Sequence, residues 1–315
     1  MDLKYILLDE TRLFEGQTLH RIEALTDFGD VKKGDKGGWI QNESNLSHDG
    51  DCWVGGNAKV YGDARVYDNA KVYGRARVYG CSAVYGDAKI YDDARVHGHT
   101  RVYSNAQVYG HAVVYDNAEL YGHAHVDGHA WVYGFAHVYD DAQVYGTAWV
   151  NGHAQVYGHA EVYGNAVIFG DTLVYGNARV YGDAKVYGRA RVYGFCEVFG
   201  GAQVYNDAQV YENSQVYGNA RVCDHAKVCG TAVVDGKAEI CGDAVVQKTG
   251  DYLMFRNWWP SGRWFTYTAS NKKWKVGCFH GTGEELIKNA YADSKKKGEC
   301  YEIIVRAVEK INSIL

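Results

Sequence analysis

The chain has 315 residues, among them 38 glycines, 27 tyrosines and a single proline, Pro260. Its 33 basic and 38 acidic residues are mixed along the chain and give a net charge of −5, which excludes both the basic footprint of a nucleic-acid binder and a strong DNA mimic. Apolar residues make up 47% of the chain and fall on a strict period, so the abundant glycine is not a mark of disorder.

The N-terminal stretch MDLKYILLDETRLFEG carries charges within its first dozen residues and lacks the apolar run of a secretory signal. No segment approaches the roughly 20 apolar residues of a membrane span, so no membrane partner is expected. Eight cysteines lie scattered without framework spacing, which predicts free thiols in a reducing cytoplasm. Residues 1–38 predict a small N-terminal cap, and residues 39–53, WIQNESNLSHDGDCW, an irregular first coil.

From Val54 to Val246 one six-residue word repeats without insertion or deletion. Val, Ile or Leu stands at every sixth position, and Ala stands two residues before it. Small stand-ins replace that Ala at Ser82, Thr100, Thr172, Cys196 and Ser214. In the word Ala-x-Val-Tyr-Gly-Asn, Ala and Val are two apart and point one way, while x and Tyr point the other. Gly-Asn and Gly-Asp are turn chemistry, because both tolerate positive φ. Each word therefore predicts a four-residue strand and a tight turn, with Val and Ala buried. A single such strand cannot bury its Val; stacked copies can, and each buried Val contributes roughly 1.5–2 kcal/mol.

The word resembles the hexapeptide repeat of left-handed β-helices, which implies three words per coil. The thirty-three words then make about eleven coils of eighteen residues, a left-handed parallel β-helix over 39–247 in an all-β solenoid. The entry stretch DVKKGDKGGWIQNESNLSHDGDCWV resembles that of the YdcK-type bacterial and phage proteins. That group includes hexapeptide acetyltransferases and polymer-forming cytoskeletal proteins.

Residues 248–315 predict a small α+β C-terminal cap. DYLMFRNWW and RWFTYTASNKKWKVGCF read as strands of a small sheet. Thr282 and Glu285 form a capping box that opens a helix through about Ser294. A second helix is expected from about Glu299, with Tyr301, Ile304, Val308, Ile311 and Leu315 as an apolar stripe packing on the module's own sheet. Trp258, Trp259, Trp264 and Trp274 gather with Phe255, Phe265 and Phe279, as a core or as a ligand cage. GCFHGTGEELIKNAY resembles a tail module of phage and prophage proteins, which implies expression in the cytoplasm of a bacterial host cell.

Words eighteen residues apart stack directly, so the outer columns can be written out. One face carries Tyr67, Tyr85, Tyr103, Tyr121, Tyr139, Tyr157, Tyr175, Tyr193 and Tyr211. Such a column is a structural ladder or a stacking platform for sugar rings or bases, and the ladder is the simpler reading. On a second face Val113, Trp131, Trp149 and Val167 stand beside Tyr115, Tyr133, Asn151 and Phe169, with charges above and below. An apolar patch with a polar rim and exposed Trp is the composition of an interface.

On the third face the tyrosine column breaks at Asp127, with His125 two residues away and His123 and His129 at nearby corners. A His beside a carboxylate can act as a general base. The superfamily resemblance implies an acyltransferase with such a His, using acetyl-CoA on an oxygen or nitrogen acceptor. Those enzymes extrude a loop at the site, and this period never slips. Cys223, His225 and Cys241 fall on adjacent coils and offer soft ligands for a metal, although Cys is also an ordinary small substitute there.

The reading favoured is a non-catalytic β-helical interaction scaffold without a cofactor. It is expected to be a homo-oligomer, trimer or dimer, that binds a host protein or a small signalling ligand on a flat aromatic face, with no nucleic acid as partner. The acyltransferase with His125 and Asp127 is the alternative.

Overall fold

The computed structural model of the chain describes residues 3–257 and 261–314. They fall into two compact units, Met1–Gly182 and Asp183–Leu315.

The first unit opens with a hairpin. Tyr5–Phe14 pairs antiparallel with Gln17–Ala24 across a turn in which Glu15 and Gly16 both have positive φ. Lys36–Ile40 then runs antiparallel to the second strand and parallel to Lys59–Val60, so it joins the hairpin to the repeats. The irregular first coil contains a 3₁₀ turn, Glu43–Asn45. The buried Asn45 amide donates to the carbonyls of Gly62 and Ala64, and its oxygen accepts from the Gln41 and Asn42 N–H groups.

The words then coil as parallel strands with a register of eighteen residues, as in Lys71↔Lys89 and Trp131↔Trp149. The regular strands are mostly two residues long, x and Val, rather than the four expected. Hydrogen bonds still reach past them. Lys71 N–H donates to Ala88 at 2.9 Å, Tyr73 N–H to Ile90 at 2.9 Å and Arg75 N–H to Asp92 at 2.6 Å, so alternate amides of each word bind the next coil. The other side of each strand is a dry column of Val and Ala, completely buried from Ala58 and Val60 onward.

The corners explain the Gly/Asp alternation. Gly98 has φ +78, and a Cβ there would lie 2.7 Å from the backbone of Asp116 on the next coil. Asp116 itself has φ 60, a conformation that Asp tolerates, and its Oδ2 accepts from Gly134 N–H at 3.3 Å. Asp68, Asp92 and Asp140 bind Gly86, Gly110 and Gly158 in the same way.

The unit thus presents three outer faces. The tryptophan face runs from Lys59–Val60 through Trp131–Val132 and Trp149–Val150 to Val167–Ile168. The aspartate face runs from Trp53–Val54 through His125–Val126 to Arg179–Val180. The tyrosine face runs from Arg65–Val66 to Leu173–Gly176. The hairpin covers the start of the tryptophan face: Lys59 is buried there under the Phe14 ring at 4.9 Å, and burial lowers its pKa.

The second unit repeats the coil from Lys185–Val186 to Val245–Val246 and continues into an antiparallel sheet. That sheet has the order Tyr252–Arg256, Trp264–Thr268, Lys273–Val276, Phe279–Thr282. Thr282 caps the helix Gly283–Asp293 as the capping box predicts: its Oγ1 accepts from Glu285 N–H at 3.3 Å and its own N–H donates to Glu285 at 2.8 Å. The second helix begins at Lys295, earlier than expected, because the Ser294 hydroxyl caps it by accepting from Lys297 N–H.

Tyr301, Val305 and Val308 of that helix pack with Phe265, Trp274, Leu286 and Ile287, and Ile304 touches the cluster. Ile311, expected in the stripe, is instead exposed, since the buried side follows Val305 rather than the straight 3-4 row. Leu315, Trp258 and Trp259 lie outside the described residues. Trp274 and Phe265 are core, with Phe255 and Phe279 packed against them.

The expectation that all cysteines are free is corrected. Cys223 and Cys241 are joined by a disulfide, because eighteen residues of separation place their Cα atoms only 4.8 Å apart on adjacent rungs.

Candidate functional site

The tyrosine face is a continuous ladder in the first unit. Tyr103, Tyr121, Tyr139, Tyr157 and Tyr175 stack at 4.8–5.1 Å, with their planes within 11° of parallel. Burial, with Glu119 adding to it, pushes Tyr103 up to about 12, and Tyr139 reaches about 12 beside its stacked neighbours. In this geometry the ring faces are turned toward one another and only ring edges face outward. A planar ligand therefore finds no ring face along the column, which favours the structural ladder over the stacking platform.

The tryptophan face brings together the residues expected of it. Val113, Trp131, Trp149 and Val167 occupy four successive rungs. The indoles of Trp131 and Trp149 stack at 5.6 Å and 16°, and they remain 40% and 43% exposed, in contrast to the valines behind them. Tyr115 meets Trp131 edge-on at 6.1 Å and stacks on Tyr133 at 4.8 Å. Asn151 and Phe169 continue that column, half-buried.

Phe135 was missed by the sequence reading. It stands at the corner beside Trp131 and Tyr133, is 51% exposed and stacks on His153 at 5.0 Å. Its signal is an aromatic in a corner column otherwise made of Asp63, Cys81, His99, Asn117, His153 and Asp171. The result is one apolar patch that wraps a corner of the coil. Arg77 and Arg95 precede it on the same face.

On the aspartate face, His125 and Asp127 point outward from one strand, both half-buried. Burial raises the Tyr109 pKa, and the Asp127 carboxylate beside it adds to the rise. His125 meets Tyr109 edge-on at 6.2 Å. His129 stacks on His111 at 4.8 Å along one corner, and His123 stands exposed at the other. His123 closes a polar groove of about 440 Å³ that Asn69, Lys71, Asp87 and Lys89 help to line.

The metal grouping changes. It is Asp224, not His225, that gathers with Cys223 and Cys241, their ligand atoms within 4.8 Å of one another. With the two sulfurs bonded to each other, neither is the thiolate that a soft metal needs. His225 instead lines a corner groove with Arg189, Asp207 and Asp224.

Two comparisons bear on the repeat. The family model described as the YdcK beta solenoid repeat matches residues 106–122, which lie inside the coils that carry these faces. A relative described as "Uncharacterized acetyltransferase YdcK", from Escherichia coli (strain K12), is 41% identical over 59 residues. That match covers 16% of this chain and 18% of the relative, well under two thirds of either. The chain is therefore similar to the YdcK β-solenoid repeat in part of its length, and its described strands form a parallel β-solenoid.

Proposed function

We propose that the protein is a non-catalytic β-helical scaffold that associates through the tryptophan face, forming a dimer or trimer that presents its remaining surfaces to a host protein or a small signalling ligand. One observation carries the reading: Trp131 and Trp149 stack on each other and still expose two fifths of their surface, in line with Val113 and Val167 and beside Phe135. A solvated column has no reason to gather these residues, whereas an interface core is enriched in them. The resemblance of the C-terminal segment to a module of phage and prophage proteins supports a role inside an infected bacterium.

The test is the solution mass of Trp131→Asp with Trp149→Asp. A smaller species with the β signal intact is expected; an unchanged mass overturns the reading.

The second reading is an acetyl-CoA-dependent acyltransferase, favoured by the name of the E. coli relative, an uncharacterized acetyltransferase. It assigns His125 as base and Asp127 as its orienting carboxylate. The unslipped period through this coil weighs against it. It requires that acetyl-CoA bind and that His125→Ala abolish turnover.

A further inference from the structure

The outer column of the aspartate face reads Tyr73, Tyr91, Tyr109, Asp127, Tyr145, Tyr163, Tyr181. On either side of the interruption the rings stack tightly. Tyr91 and Tyr109 lie 4.8 Å apart with planes 1° from parallel, and Tyr145 and Tyr163 lie 4.8 Å apart at 4°. Inside an unbroken ladder each ring has both of its faces covered by its two neighbours. Tyr145 has only Tyr163 as a stacked partner among the described residues, and Tyr109 only Tyr91, with His125 set edge-on to it. Asp is too short to reach the height at which the rings lie. The outer part of the Asp127 rung is therefore a slot, with a tyrosine ring on each side and a carboxylate at its base.

The charges around the slot differ from those elsewhere on these faces. Some carboxylates of the repeats pair with an arginine one coil away: Asp93 with Arg75 at 2.6 Å, Glu119 with Arg101 at 3.0 Å, Glu161 with Arg179 at 3.6 Å. Among the described residues Asp127 has no Lys or Arg partner; its carboxylate lies beside the neutral Tyr109 and keeps acceptor capacity to spare. Two ring faces carry negative quadrupole and the carboxylate carries full negative charge, so all three groups select for positive charge. Flatness is selected by the rung spacing. A planar group at the height of Asp127 sits one 4.8 Å rung from each ring, inside the roughly 6 Å range of a cation–π contact. A bulky tetrahedral ammonium fits the same slot less well.

We propose that the Asp127 rung is a binding slot for one planar organic cation, an amidinium or guanidinium group, held between Tyr109 and Tyr145 with its charge on the Asp127 carboxylate. The site is independent of the tryptophan face.

Benzamidine is the probe, with benzamide as its neutral isostere, titrated calorimetrically into the full chain. Benzamidine is expected to bind at least about tenfold tighter than benzamide, as one to two cation–π contacts and an ion pair imply. Asp127→Asn should weaken benzamidine by about the same factor through loss of the charge. Asp127→Tyr repairs the ladder: it should abolish binding, leave the β signal unchanged and raise the melting temperature. Equal binding of the two probes, no benzamidine binding at millimolar concentration, or retained binding by a folded Asp127→Tyr chain each overturns the proposal.

Discussion

If stacking holds the tyrosine column together, a ring inside the ladder must be worth more than a ring at its end. Tyr85 and Tyr67 allow that comparison. Both are half-buried and occupy the same position of the word. Tyr85 stacks on Tyr67 at 4.8 Å and on Tyr103 at 4.9 Å, whereas among the described residues Tyr67 stacks on Tyr85 alone. Replacing either by Ala removes a similar ring area, a loss of roughly 2 kcal/mol in each case. Tyr85→Ala additionally breaks a second ring pair, worth about 0.5–1.5 kcal/mol beyond area. Urea unfolding followed by circular dichroism should therefore show Tyr85→Ala as the less stable variant by that margin. Equal losses, or a larger loss for Tyr67→Ala, would refute the reasoning and leave the column as surface decoration.

The disulfide closes an eighteen-residue loop, so Cys223→Ser should cost about 3 kcal/mol on the chain-entropy view; the thermal midpoint with and without reductant checks it, and a wild type indifferent to reductant contradicts the bond. His97 is stacked between Tyr79 and Tyr115, and burial lowers its pKa, with Arg95 lowering it further and Asp116 opposing. A base with a depressed folded pKa binds its proton first in the unfolded chain, so stability falls as pH drops through the ordinary His range near 6.5. The unfolding midpoint should drop between pH 7.5 and 5.5 by more in wild type than in His97→Tyr, which extends the ladder with a group that does not titrate there.

The coil was legible because its periodicity is local and uninterrupted: apolar residues two apart, a turn residue every sixth position, and nothing that shifts the register. The outer columns follow from the same period, which puts Trp131 and Trp149 on adjacent rungs. What escaped depends on contacts that a column does not encode. Phe135 sits at a corner, where the word specifies backbone rather than a face. Cys223 and Cys241 were visible as rung neighbours, but sequence does not distinguish two sulfurs that bond each other from two that share a metal. Ser294 both ends one helix and caps the next, so the second helix starts at Lys295 where a separating loop was expected.

The most direct trial is to insert one extra six-residue word between Val138 and Val144. Each word pairs with the one eighteen residues before it, so the coil should reform and the β signal survive, while Trp149 moves round to the neighbouring face and parts from Trp131. Light scattering should then report the smaller species. A chain that folds with the added word and keeps its wild-type mass would show that self-association owes nothing to these two indoles lying on one side.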